Sequence, residues 1–305
     1  MSDVVPAAVA ARQQFLDLVA DVRPDLHRYC ARVTGSVFDG EDVVQDTLAK
    51  AWYALAEMES PPPLRPWLFR IAHNSAMDFL RRYDRRNVDT SADLETLADD
   101  MASREQSGHE PDGALVESAL KVFAALPPVQ RSALALKDVL GLSLVETAET
   151  MGLSIAAVKG ALVRARTNVA SPVASHTRPP NVEDSARLRH YALLFNARDW
   201  DGLRALFGDE TRLDLVSRYQ RRGRLASIYF VQYERLTTLE NLRAEAGWVD
   251  DVPVLAVFRP PSDQQPAYFI RLEWKGNGLD GVRDFYYVPY IAAEARFTSH
   301  TTLRD

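Results

Sequence analysis

The chain has 305 residues, 47% of them hydrophobic and 26% charged, an ordinary balance that lets two or three compact units each bury a core. A formal net charge of −6 argues against indiscriminate nucleic-acid binding but leaves room for local basic patches. The single cysteine, Cys30, excludes an internal disulfide and any zinc site built on cysteine pairs, and no run of about 18 apolar residues is present to span a membrane.

The start, MSDVVPAAVAARQQF, has no basic segment followed by an apolar stretch, so no secretory signal is expected. With one unpaired thiol, the expectation is a soluble protein of a reducing, cytoplasmic compartment. Phe15, Leu18, Val19, Val22, Leu26, Tyr29 and Val33 then recur at spacings of three and four. That pattern predicts one helical face, or two short helices meeting at Pro24. A second helix carries Val43, Val44, Leu48, Trp52 and Leu55 and is broken by Pro61-Pro62-Pro63. A third begins near Pro66 with Trp67, Leu68, Ile71, Phe79 and Leu80, which completes a small helical bundle over residues 8–86.

The second helix is acidic where FDGEDVVQDTLAKAW places Asp39, Glu41, Asp42 and Asp46 beside Gln45. Such a patch repels DNA and suits a basic protein partner. The third is basic, with Arg65, Arg70, Arg81, Arg82, Arg85 and Arg86 against Asp78 and Asp84. Clustered arginines suit phosphates, while Asn74 and Asp78, four residues apart, share a face from which bases can be hydrogen-bonded. Taken alone, this run favours an ordinary solvated charged face, as most charge runs do.

Residues 87–113 hold Asp93, Glu95, Asp99, Asp100, Glu105, Glu110 and Asp112 with few large apolar residues, and read as an acidic flexible linker. Residues 114–170 are helical again. LPPVQRSALALKDVLG places Pro128 in a helix first turn. In SLVETAETMGLSIAAVKGALVRAR, Ser143 and Glu146 form a capping box, Ala148 permits a close helix crossing, and Gly152 allows a left-handed turn. Ser154 caps the next helix. There Ile155, Val158 and Leu162 are expected to pack inward, leaving Lys159, Arg164 and Arg166 outside. These features together predict a helix-turn-helix, whose second helix enters the major groove. Cap, small residue, glycine and basic second helix all agree, which sets this apart from a plain helical hairpin.

Residues 171–180, SPVASHTRPP, form a second linker. In residues 181–305, EDSARLRHYALLFNARDW places Leu188, Tyr191, Leu194 and Phe195 on one helix face, and WDGLRALF reads as a second short helix. A strand follows around residues 211–216, and VPVLAVFRP, AYFIRLEW and VRDFYYVPY read as further strands, the last two joined by a turn in KGNGLDG. Asp214, Tyr229, Tyr233, Arg271, Tyr286 and Tyr287 are the candidate lining of a pocket, although strand tyrosines more often serve as half-buried packing. His190 and His300 have no metal-ligand spacing around them, and no cofactor is expected.

The sequence E-D-V-V-Q-D-T, then P-W-L-F-R-I-A-H-N-x-x-x-D-F-L-R-R, then the acidic linker, then L-P-P-x-Q-R and the helix-turn-helix, resembles a sigma factor of the extracytoplasmic-function group over roughly residues 10–170. The resemblance implies a non-enzymatic transcription initiation factor of two all-α domains, at 8–86 and 114–170. Asp42, Val43, Gln45, Asp46 and Thr47 match the segment that docks on the β′ clamp of RNA polymerase core. Asn74, Asp78, Arg81 and Arg82, with Arg85 and Arg86 in the same basic run, match the helix that reads and opens the minus-ten element of promoter DNA. Ser154, Ala157, Lys159, Gly160 and Arg164, followed by Arg166, match the recognition helix for the minus-thirty-five element. The extension 181–305 resembles, through its element order and F-N-x-R-D-W-D-x-L, a SnoaL-like domain of the nuclear-transport-factor-two superfamily. That implies an α+β cone with a regulatory role and a small-molecule ligand as a candidate partner. Two rival readings differ in class: a helix-turn-helix regulator that is not a polymerase subunit, and a fusion with a SnoaL-like enzyme.

Overall fold

The computed structural model describes residues 13–60, 62–87, 120–169, 182–239 and 241–300. The linkers expected at 87–113 and 171–180 lie almost wholly outside these residues. The chain divides near residue 174 into two units, each with its own hydrophobic core.

The first unit is helical: α1 (13–19), α2 (Arg23–Thr34), α3 (Val37–Glu57), α4 (Leu64–Asn87), α5 (Leu120–Ala124), α6 (Pro128–Leu134), α7 (Leu144–Met151) and α8 (Ile155–Val169). Helix α2 starts with Pro24 in its first turn and ends at Gly35, whose φ of 83° is the left-handed value that a C-cap requires. Helix α3 opens at Ser36, whose side chain accepts from the Asp39 amide. These two helices cross closely because Gly40 has no side chain: a Cβ there would sit 2.6 Å from the Ala31 backbone. Pro128 begins α6, which widens into a π-turn at Ala135–Val139.

The two helical stretches share one core. Tyr29, Phe69, Leu134, Leu136 and Val158 belong to the same buried cluster. Polar groups are buried between them as well. The Tyr29 hydroxyl lies 2.8 Å from His73 Nδ1 and 3.0 Å from Ser132 Oγ. The Arg131 guanidinium donates to the carbonyls of Val33 (2.8 Å), Leu126 (2.6 Å) and Ala124 (2.5 Å).

The second unit holds α9 (Val182–Ala197), α10 (Trp200–Ala205), β1 (Phe207–Leu215), β2 (Tyr219–Arg222), α11 (Arg224–Ser227), α12 (Tyr229–Leu239), β3 (Arg243–Val249), β4 (Val252–Phe258), β5 (Tyr268–Lys275), β6 (Gly278–Asp284), α13 (Tyr290–Glu294) and β7 (Thr298–Ser299). Its seven-stranded mixed sheet runs β2-β1-β6-β5-β4-β3-β7, with β1 and β6 parallel. The β5–β6 hairpin turns through Gly276-Asn277, as the glycine-rich stretch predicts. The expected strand VRDFYYVPY is corrected: β6 ends at Asp284, and residues 285–289 form turns leading into α13. Helix α12, which carries Tyr229 and Tyr233, replaces the strand setting assumed for those tyrosines.

Candidate nucleic-acid and polymerase interface

Helices α3 and α4 form the walls of a cleft of about 450 Å³. Asp39, Asp42 and Asp46 line one side, and Ser75, Phe79, Arg82 and Tyr83 line the other. Lys50 ties the walls together, its Nζ 2.8 Å from Asp46 Oδ2 and 2.9 Å from Ser75 Oγ. Of the five residues expected to dock, Asp42, Gln45 and Asp46 are half-buried and present polar atoms, whereas Val43 (2% exposed) and Thr47 are in the core. Thr47 donates its hydroxyl to the Val43 carbonyl, and both serve to hold α3 in place. Glu41 is fully buried against Arg23, which removes it from the acidic surface.

On α4 the outward face is Asn74, Arg81, Arg82 and Tyr83, all exposed, with Asp78 half-buried. Arg81 pairs with Asp78, and Arg82 Nε donates to the Asp78 carbonyl at 3.3 Å. The side chains of Arg85 and Arg86 lie outside the described residues. Phe79 and Tyr83 stack with ring centroids 6.4 Å apart and planes 19° apart. Tyr83 is 55% exposed, so this pair offers a platform for an unstacked base. The signal for it was an aromatic pair at i,i+4 within a basic run.

The helix-turn-helix is built as its caps dictate. The Ser143 amide donates to Glu146 Oε2 at 2.8 Å, and the Glu146 amide donates to Ser143 Oγ at 3.2 Å. These bonds hold the Glu146 carboxyl below its ordinary range. Gly152 turns the chain at φ 65°, and Ser154 Oγ accepts from the Ala157 amide at 3.2 Å. Helix α8 buries Val158, Ala161, Leu162 and Ala165 and exposes Ser154, Ala157, Lys159 and Arg164, with Gly160 half-buried between them. Ile155 is corrected: it is 43% exposed, because the inward seam begins one turn later at Val158. Arg166 makes a bidentate pair with Asp138 at 2.9 and 2.7 Å. Asp138 is almost fully buried, so this pair clamps α8 to the preceding π-turn and raises the guanidinium pKa further.

In the second unit the expected pocket residues separate onto two faces. Asp214 and Arg283 are register partners and pair at 3.1 Å, and Arg271 stands beside Arg283 in register on that same outer face. This face carries a shallow groove that Arg212, Asp214 and Glu273 help to line. Tyr229 and Tyr233 instead reach the inner face, where both hydroxyls donate to Asp284 Oδ2, the latter at 2.7 Å. The Tyr268 hydroxyl lies 2.9 Å from that of Tyr233, and the Tyr286 amide donates to Asp284 Oδ1 at 2.8 Å. Tyr286 packs edge-on to Tyr268, and Tyr287 accepts from Gln232. Asp284 is fully buried, and burial pushes its pKa up to about 6, against the lowering pull of these bonds. The buried acid is therefore Asp284 and not Asp214. Asp214 is in register with Arg283, and alternation along β6 sends Arg283 and Asp284 to opposite faces.

Among the described residues no cluster of His, Cys, Asp or Glu is arranged to hold a metal ion, and no helix is long and apolar enough to cross a membrane.

Residues 18–86 match the model for Sigma-70 region 2, and residues 117–169 match that for Sigma-70 region 4. The chain is 34% identical over 212 residues to the ECF RNA polymerase sigma factor SigG of Mycobacterium tuberculosis, an alignment covering 62% of this chain and 57% of that relative. The chain thus spans little more than half the length of that relative. It is also 34% identical over 139 residues to the RNA polymerase sigma factor CnrH of Cupriavidus metallidurans, covering 44% of this chain and 72% of CnrH. Among solved structures, the sigma factor RpoE in complex with the anti-sigma factor NepR from Bartonella quintana aligns at 26% identity and a TM-score of 0.38, covering 52% of this chain and 94% of that one. The chain belongs to the extracytoplasmic-function group of RNA polymerase sigma factors.

Proposed function

We propose that this protein is an alternative sigma factor that binds RNA polymerase core, directs it to promoters and helps open the DNA, acting in the cytoplasm. The observation that carries this reading is the cleft in which the acidic wall of α3 faces Arg82 and the stacked aromatics of α4, in a unit that also holds the helix-turn-helix. The wall of Asp39, Asp42 and Asp46 suits a basic polymerase surface. The outward face of α4 suits separated bases through Asn74 and Tyr83 and phosphates through Arg81 and Arg82. The mechanism is non-covalent: binding free energy drives promoter melting. A helix-turn-helix regulator independent of polymerase has no use for the α3 wall.

The C-terminal unit is read as a SnoaL-like, NTF2-like regulatory domain that tunes the chain's own activity. Support comes from its order of two helices, a strand and a long mixed sheet packed over α9 and α12. A small-molecule ligand of this domain would enter the groove that Arg212, Asp214 and Glu273 help to line, since the Asp284–tyrosine cluster is buried.

The test is transcription in vitro with core polymerase and a promoter library. Promoter-specific transcripts are expected from the full chain. Asp42→Lys with Asp46→Lys is expected to weaken core binding tenfold or more, with circular dichroism to check that the helices are retained, because Asp46 also pairs with Lys50. Unchanged core binding would remove α3 from the docking role. DNA binding without transcripts from the unmodified chain would favour the plain regulator.

A further inference from the structure

Helix α8 advances by about 100° per residue, so its buried seam of Val158, Ala161, Leu162 and Ala165 defines an opposite, outermost line. That line runs through Ala156, Gly160, Val163 and Thr167. The cations Lys159 and Arg164 flank it on either side. From Ala156 to Val163 the centre of the surface that would face a groove is therefore apolar, and its charges stand at the margins.

Val163 is the unexpected residue on this line. It is 57% exposed, so it contributes little to the core. It is β-branched in a helix interior, where valine is a poorer helix former than alanine. Folding alone does not account for it. Its neighbour one turn earlier is Gly160, where a Cβ would come within 3.4 Å of the Arg164 guanidinium. The missing side chain at 160 lets the helix backbone approach a groove floor beside Val163 and leaves room for the Arg164 head to swing outward.

In the major groove each base edge carries hydrogen-bonding atoms, and the one apolar group is the thymine 5-methyl. A valine can make no hydrogen bond there and would strand any donor or acceptor it covered. We propose that Val163 is a specificity-determining residue of the helix-turn-helix, reading a thymine in the upstream promoter element by packing on its 5-methyl group. Lys159 and Arg164 then act at the flanking phosphates or guanines. This inference rests on the reading of α8 as the DNA-recognition helix.

The experiment removes the methyl and nothing else. Duplexes are first selected from a random pool by the full-length chain, with and without core polymerase. Selection only without core would defeat the sigma-factor reading, yet would still supply the duplex on which Val163 is tested. Each thymine of the selected site is then replaced singly by deoxyuridine. One position should lose about fourfold in affinity, the value of one buried methyl. Val163→Ala should abolish sensitivity at that position alone and leave the rest of the scan unchanged. Val163→Ile should retain it. Alanine is favourable at an exposed helical site, so the variant keeps its fold. The proposal is overturned if no thymine shows methyl dependence, or if Val163→Ala leaves that dependence intact.

Discussion

In the helical unit a buried tyrosine, Tyr29, shares its hydroxyl with His73 and Ser132. In the C-terminal unit the tyrosines Tyr229, Tyr233 and Tyr268 gather around the carboxyl group of Asp284. Both networks are almost fully buried, yet only the second contains an acid. Burial lowers the His73 pKa to about 4, so the first network stays neutral across the physiological range. Burial raises Asp284 to about 6, so the second changes charge just below neutrality. The same desolvation, applied to a base and to an acid, yields a fixed joint in one unit and a titratable one in the other.

Deleting one hydroxyl from each network tests this difference in charge most directly. Tyr233→Phe takes a donor from a buried carboxylate and is expected to cost the C-terminal unit about 2–3 kcal/mol at pH 8, where Asp284 is ionised. The loss should shrink at pH 5, where the acid is protonated. Tyr29→Phe leaves His73 and Ser132 facing each other at 3.3 Å, and is expected to cost the helical unit about 1–2 kcal/mol, equally at pH 7 and pH 9. Hydrogen exchange resolved along the full chain reads both units separately. Equal pH dependence for the two variants would show that the networks do not differ in charge.

The pH response of the unmodified protein should split in the same way. His73 has a folded pKa below its ordinary value of 6.5, so the unfolded chain takes up its proton first and stability is lost as pH falls from about 6.5 towards 4. Asp284 has a folded pKa above its ordinary 3.8, so the folded chain takes up the proton first and stability is gained as pH falls from about 6 towards 4. Between pH 7.5 and pH 5 these groups should contribute a loss of about 2 kcal/mol in the helical unit and a gain of about 1 kcal/mol in the C-terminal unit. Asp284→Asn should flatten its unit's gain. A gain that survives in that variant would assign it to other carboxyl groups. The smallest effect is expected from Ser132→Ala, under about 1 kcal/mol, because the 2.8 Å contact between Tyr29 and His73 survives. A larger loss would make Ser132, and not His73, the main partner of Tyr29.

Local signals were readable wherever the physics is local. Ser143 and Glu146 form the reciprocal cap that their spacing announces, Gly152 takes the left-handed turn, and Pro128 opens its helix. The acidic run on α3 and the basic run on α4 were also visible as charge patterns. What the sequence concealed was which charges remain available. Glu41 reads like Asp42 in the chain but is buried against Arg23, and Arg166 reads like Arg164 but is held by Asp138. Ile155 satisfies the apolar spacing and is nonetheless exposed, since the seam of α8 is set by its partner helices.

The helices, their caps and turns, the family signature in two regions and the strand-rich character of the C-terminal unit were all legible from residue order. Each of these depends on residues within a turn or two of one another. Long-range packing alone shows that two helical stretches share a core through Tyr29, His73 and Ser132, residues up to 103 positions apart. It alone decided that Asp284, and not Asp214, is the buried acid. Both are aspartates in strands, and the face each occupies depends on sheet register and on the helix that brings Tyr229 and Tyr233 across 55 and 51 residues of chain. Desolvation is set by whatever packs around a group, and for both networks those neighbours are distant in sequence.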